Sequence, residues 1–259
     1  MAKILIGATN YGVWAEELQA PWDALRKAGH DVTLATQQGK KPLPLAVSVD
    51  PDFVDPVQNY NVNPKEVCDR VKELVAGDDW NEPIKFHDAS MQDFDAIVLT
   101  GGLGAMLDLG NNPQVHRLLL EAVYAEKVVG AICYSVAALL FTRDPKNDYR
   151  SIVHDKTITA HPRAWDFMLD CSYDLYAASS DNRGTDVITP GFLFPLQDLA
   201  IDAVGPRGRV SADPGTNRDR PDVQEDGQLV TGCSVESSIA YGERLVQKLG
   251  KPAMAAVQR

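Results

Sequence analysis

A chain of 259 residues, 44% apolar and 24% charged, has room for one sizeable α/β core and the composition of an ordinary globular protein. Its 36 acidic side chains outnumber 25 basic ones, and a net charge of −11 repels phosphate backbones and anionic lipid, so neither nucleic acid nor membrane is an expected partner. No apolar stretch nears the roughly 18 residues of a membrane span, and the chain opens on a strand rather than a signal peptide, which predicts a cytoplasmic protein.

Lys3 to Gly7 is a short apolar run that predicts a strand, followed by a loop over Ala8 to Gly12. From Glu16 to Ala28, the residues Leu18, Trp22, Leu25 and Ala28 share one stripe, as an amphipathic helix requires. Pro21 opens or kinks that helix, which puts Glu17 at or before its first full turn. Gly29 closes it, and Asp31 to Thr36 reads as a second strand, completing a right-handed parallel unit. Periodicity fades from Gly39 to Ser90, a stretch punctuated by prolines in which only Pro64 to Val75 looks helical. With no core of its own, it reads as a cap or lid.

Order returns at Phe94 to Leu99, a strand leading into Thr100-Gly101-Gly102-Leu103-Gly104. Pro113 to Glu126 is a helix with Val115, Leu118, Leu119, Ala122 and Val123 on one face. Val128 to Ile132 reads as a buried parallel strand that runs straight into Cys133 and a helix to Leu140. A polar loop from Thr142 to Arg150 precedes a short strand at Thr157 to Ala160. A second irregular region, Ser172 to Gly205, carries the apolar Phe192-Leu193-Phe194-Pro195-Leu196. Gly227 to Gly232 is a turn and strand, and Ser234 caps a closing helix that reaches Leu249. The alternation predicts an α/β fold with a flavodoxin-like, doubly wound, mostly parallel sheet and helices on both faces. It is read as one domain over 1–259 with irregular insertions at about 39–90 and 172–205, and ligands belong at the carboxyl ends of the strands.

Cys133 is the most informative residue. A strand-to-helix corner pushes its side chain out at the sheet edge beside helix N–H groups, where a thiol pKa is expected to fall. Thr100 to Gly104 lacks both the phosphate-loop lysine and the dinucleotide glycine spacing, so no nucleotide cofactor is expected. Gly101 and Gly102 instead can aim N–H groups at an oxygen beside Cys133 and, with the N–H of Tyr134, form an oxyanion hole. Glu17 follows the first strand, expected next to the cysteine strand, where a carboxyl can bond the thiolate or move protons. His161 ends a strand on the same edge and is a candidate base. Trp14 and Tyr134 are expected to wall the substrate pocket. Cys68, Cys133, Cys171 and Cys233 show no C-x-x-C spacing and read as reduced thiols. His30, His87, His116, His154 and His161 show no ligand pairing, so no metal is expected.

Four patches, in order and spacing, resemble the DJ-1/ThiJ/PfpI superfamily. They are Ala15 to Pro21 before Arg26 to Gly29, then Thr100-Gly101-Gly102, then Gly130-Ala131-Ile132-Cys133, and finally Thr159-Ala160-His161-Pro162 with Asp166 downstream. The resemblance implies Cys133 as nucleophile, Glu17 as its hydrogen-bonded acid and His161 as the nearby histidine. Length and insertions resemble the larger branch of glutathione-independent glyoxalase III enzymes and heat-inducible chaperones. That branch places a histidine after the nucleophile, where this chain has Tyr134. The expected function is a cofactor-free, cysteine-dependent conversion of a 2-oxoaldehyde to a 2-hydroxy acid, or a related deglycase activity. Hydration of another small electrophile such as an isocyanide is one alternative. A redox-sensing or holdase chaperone using an oxidisable Cys133 is the other. The resemblance also implies a stress-response homodimer acting on a small-molecule electrophile.

Overall fold

The structure, a computed structural model, describes residues 1–166, 171–179, 187–189 and 194–250. Its first half runs β1 (Lys3–Gly7), α1 (Ala15–Lys27), β2 (Asp31–Thr36), α2 (Lys65–Ala76), β3 (Ile84–Lys85), β4 (Ala96–Leu99), α3 (Ala105–Asp108), α4 (Pro113–Tyr124), β5 (Val128–Ile132) and α5 (Val136–Phe141). The second half is built from shorter pieces. These are β6 (Arg143–Asp144), β7 (Arg150–Ser151), β8 (Thr157–Thr159), α6 (Arg163–Asp166), β9 (Cys171–Tyr173), β10 (Val187–Thr189) and α7 (Leu196–Val204), then β11 (Arg209–Ser211), β12 (Val223–Asp226), β13 (Leu229–Gly232) and α8 (Ser238–Leu249).

Seven strands form the central sheet in the order β12-β13-β5-β4-β1-β2-β3, parallel throughout except for the antiparallel edge strand β12. The chain moves from β1 to β2 in one direction and from β4 to β5 in the other. Right-handed crossovers therefore send α1 and α4 to opposite faces, and the order reverses between β1 and β4. Every residue of β4 and β5 is buried. Gly130 is needed in β5 because Tyr241 of α8 lies over it, and a Cβ there would meet Tyr241 Oη at 2.4 Å. Among the described residues no helix is long and apolar enough to cross a membrane.

The doubly wound α/β class stands, but several local expectations are corrected. β1 is not beside the cysteine strand: β4 lies between them. The Thr157–Ala160 strand is outside the main sheet, because β12 already occupies that edge of β13. It pairs instead with β11 and hangs on its neighbours through Thr157 N–H to Asp226 (2.9 Å) and Thr159 N–H to Thr231 Oγ1 (2.9 Å). The edge strands β3 and β12 are too short or too polar to show a period, whereas the helix α7, also outside the expected elements, buries Leu196, Ala200, Ala203 and Val204 at helical spacing within the stretch read as irregular. Ser234 does not cap α8. Its hydroxyl turns to Glu236, and a 3₁₀ turn over Val235–Ser237 precedes the α-helix. Of the apolar stretch in the second irregular region, Phe192 and Leu193 lie outside the described residues.

Candidate active site

The turn after β5 is built around a strained residue. Cys133 has φ +54°, in the left-handed region where a side chain is unfavourable by about 1–3 kcal/mol. Ser135 holds the turn in place: its Oγ accepts the Ile132 N–H at 3.0 Å and donates to the Ile132 carbonyl at 2.7 Å. The expected helix from Cys133 therefore begins as a 3₁₀ turn over Cys133–Ser135 and becomes α-helical only at Val136. The backbone N–H groups of Gly102 and Tyr134 both reach the Cys133 sulfur.

Glu17 reaches the same sulfur from two strands away, and Gly101 makes that possible. A Cβ on Gly101 would lie 2.2 Å from Glu17 Oε2, 2.6 Å from the Ile132 carbonyl and 2.7 Å from Cys133 Cβ. Only a residue without a side chain lets the carboxyl cross the end of β4. Gly101 is thus a spacer that lets Glu17 and Cys133 meet, while the N–H groups that reach the sulfur are those of Gly102 and Tyr134. The Glu17 carboxyl bonds the Cys133 thiol and the Gly102 N–H.

Burial dominates the electrostatics here. It pushes the Glu17 carboxyl up to about 8, against the pull of its bonds to Cys133 and Gly102. Burial and the adjacent Glu17 also push the Cys133 thiol well up, while the Gly102 and Tyr134 N–H groups pull it down. This overturns the expectation of a low-pKa thiol: a helix terminus lowers a thiol pKa where solvent reaches it, and Cys133 is a residue only 5% exposed, beside an acid. A thiolate is tolerated here only while Glu17 keeps its proton.

His161 lines the same cavity as Cys133, Glu17, Tyr134, Gly102 and Trp14, and Gly101 packs directly against Glu17 and Cys133, so the structure gathers the expected site residues at one place. Its Nδ1 bonds Asp166 Oδ1 at 2.7 Å, and Tyr134 Oη donates to the same oxygen at 2.7 Å. Leu196 N–H takes the other oxygen, Oδ2, at 3.1 Å. Tyr134 Oη and the Leu196 N–H donate one to each oxygen, so Asp166 acts as the acceptor, and with the His161 proton assigned to Nδ1 the ring presents Nε2 to the cavity. The Tyr134 ring lies 4.5 Å from the His161 ring, and Trp165 packs against the imidazole edge-on at 5.4 Å. Burial and the charge of Asp166 push the Tyr134 phenol well up, so it serves as a donor. The cavity measures about 70 Å³, a space suited to a small molecule. Among the described residues no group of three His, Cys, Asp or Glu is arranged to hold a metal ion.

A family model described as ThiJ/PfpI family-like matches residues 8–172, which include Glu17, Gly101, Cys133, His161 and Asp166. The chain belongs to the ThiJ/PfpI family. It is 24% identical to Glyoxalase 3 of Candida albicans over 261 residues, covering 95% of this chain and 98% of that protein. It is also 24% identical, over 92% of its length and 87% of the relative's, to a glutathione-independent glyoxalase of Schizosaccharomyces pombe. The crystal structure of the Francisella tularensis Rapid Encystment Protein superposes with a TM-score of 0.72 at 20% identity. That match covers 96% of this chain and all of the other, and it establishes a shared fold.

On this ThiJ/PfpI frame the sequence reading missed the cavity's outer wall. Phe53, which meets Trp14 edge-on at 6.4 Å, Gln58, Val62 and Glu236 all line the cavity. None belongs to a motif. Gln58 and Glu236 meet across 178 residues of chain, a distance at which no local spacing signals contact.

Proposed function

We propose that this ThiJ/PfpI protein is a glutathione-independent glyoxalase, converting a small 2-oxoaldehyde and water to a 2-hydroxy acid. The observation that carries the reading is the convergence on one buried sulfur of two backbone N–H groups and a protonated carboxyl, in a cavity shared with an Asp-oriented histidine. The glyoxalases among its relatives support the substrate class.

In this mechanism Cys133 Sγ bonds to the aldehyde carbon and the thiol proton ends on the aldehyde oxygen, giving a hemithioacetal. Glu17, holding its own proton toward sulfur, limits charge build-up on the thiolate as it forms. His161 Nε2 then removes the hydrogen on the former aldehyde carbon as a proton and delivers it to the neighbouring carbon. The hemithioacetal hydroxyl proton passes to the ketone oxygen, so the ketone becomes a hydroxyl and the hemithioacetal carbon becomes a thioester carbonyl. Water breaks the C–S bond, releasing the hydroxy acid and restoring the thiol. The sequence is an internal redox exchange between adjacent carbons, so no external oxidant or reductant enters.

The test is incubation of purified protein with methylglyoxal in the absence of any added thiol, with lactate measured enzymatically. Lactate formation is expected, falling below about a thousandth in Cys133→Ala. Absence of turnover in wild type, with intact folding, would reject the enzyme. The competing role as an oxidation sensor would then stand, since a protonated Glu17 is also placed to donate to an oxidised Cys133 sulfur.

A further inference from the structure

The cavity over Cys133 is lined by three acids, Glu17, Asp55 and Glu236, and, among the described residues, by no lysine or arginine. Burial raises the Glu17 carboxyl to about 8, which sets it apart from the other two. Asp55 is turned into its own loop, where it accepts the N–H groups of Val57 at 2.8 Å and Gln58 at 2.7 Å. Glu236 differs. It is 4% exposed, and its carboxylate accepts from Tyr60 Oη, Ser234 Oγ and, at 3.3 Å, Gln58 Nε2.

All three of those partners are neutral. Such donors hold a carboxylate in its ionised form without cancelling its field. The cation that feels Glu236 most directly, Arg218, is gripped by both oxygens of Glu16, at 2.7 and 2.6 Å, and also bonds the Val62 carbonyl at 2.7 Å. A small, partly apolar cavity whose lining carries carboxylates and, among the described residues, no lysine or arginine sets a negative field on a ligand inside it.

We propose that Glu236 is a specificity-determining charge filter: its buried carboxylate makes the cavity accept uncharged small electrophiles, reject anionic ones, and expel a carboxylate product once it has formed. The inference rests on the reading of Cys133 as the reacting nucleophile. It adds a direction to the reaction, because a neutral oxoaldehyde enters freely while the hydroxy acid made from it carries a charge that the wall repels.

The experiment compares alkylation of Cys133 by iodoacetamide, which is neutral, and iodoacetate, which is anionic, at pH 7 with peptide mass spectrometry as the readout. Both rates are divided by those of N-acetylcysteine amide, which removes the intrinsic difference between the reagents. The normalised preference for iodoacetamide is expected to exceed about tenfold in wild type and to fall by about tenfold in Glu236→Gln, a change of about 1.4 kcal/mol. Glu236→Asp, which retains the charge, should preserve most of it. A wild-type preference no greater than that of the free thiol overturns the proposal without any variant, and so does an undiminished preference in a folded Glu236→Gln. In both cases brisk reaction with iodoacetamide leaves the nucleophile reading intact. A Cys133 inert to both reagents instead overturns that reading and the filter with it.

Discussion

The floor and the outer wall of the cavity are held together by different physics. The floor is a problem in volume. Glu17, Gly101 and Cys133 meet over the ends of β1, β4 and β5, where a single methyl group on Gly101 would overlap three neighbours. The outer wall is a problem in charge. Tyr60, Gln58 and the nearby Ser234 converge on Glu236, and Arg218 bridges Glu16 to the Val62 carbonyl; apart from Ser234, these contacts join residues 156 to 202 positions apart. A floor of this kind rejects any added atom. A wall of this kind tolerates small changes of shape and responds to a missing partner.

The comparison is most exposed to Gly101→Ala. The added Cβ must displace Glu17, the Ile132 carbonyl or Cys133 itself, and two of those three are backbone or β-carbon atoms that cannot swing aside. A loss of about 3 kcal/mol in stability is expected, the upper range for overpacking, with turnover reduced by more than about a hundredfold. Urea denaturation and lactate formation read the two effects. A variant within about 0.5 kcal/mol of wild type would show that the floor relaxes and the contrast with the wall is false.

Glu17 contributes the next largest effect, and its sign depends on pH. Its carboxyl titrates at about 8 in the folded protein because it is buried, against about 4.3 in an unfolded chain. Between those values the native state binds a proton that the unfolded state releases, so stability is fullest below about pH 4 and falls as pH rises through 8. Glu17→Gln removes this slope. Relative to wild type, the variant should gain about 2 kcal/mol or more between pH 6 and pH 9, seen as converging or crossing melting temperatures. Parallel profiles would mean that Glu17 titrates normally.

Arg218→Met is the corresponding change in the wall. It leaves the Glu16 carboxyl, 2% exposed, without its cation, and burial already raises that group's pKa. Glu16 takes up a proton instead of remaining as a bare charge, and Arg218 itself is 29% exposed. The expected loss at pH 7 is therefore only about 1–2 kcal/mol, below that of breaking a fully buried pair. A loss as large as that of Gly101→Ala would mean that the wall is as unyielding as the floor.

The same division explains what could be read in advance. The apolar strand ahead of Cys133, the paired glycines after β4 and the glutamates opening α1 are local patterns, and each stands where the pattern implied. The strand order was misjudged because nothing in β1 or β5 specifies which strand lies between them. The thiol pKa was misjudged because a strand-to-helix corner indicates the nearby N–H groups but not the depth of burial. Asp166 was legible only as a position downstream of His161, while its simultaneous grip on His161 and Tyr134 depends on tertiary structure. Gln58, Arg218 and Glu236 carried no sequence signal, because polar contacts across a hundred or more residues leave no period and no motif.

The smallest effect separates two residues that share one carboxylate. Tyr134 and His161 both donate to Asp166 Oδ1, so the side chain standing where the larger branch has a histidine helps to hold the catalytic candidate rather than replacing it. Tyr134→Phe removes one of three donors on Asp166. The Leu196 N–H and the His161 Nδ1 bond remain, as does the Tyr134 backbone N–H on the Cys133 sulfur. The ring that packs on the imidazole is also retained. Turnover should fall by less than about a hundredfold, the lower limit for losing a general acid or base. Asp166→Asn should do more harm, because an amide can turn its NH₂ group toward His161 and reverse the tautomer that frees Nε2. His161→Ala should do at least as much. If Tyr134→Phe abolished turnover while His161→Ala left it intact, the phenol and not the imidazole would be moving the proton.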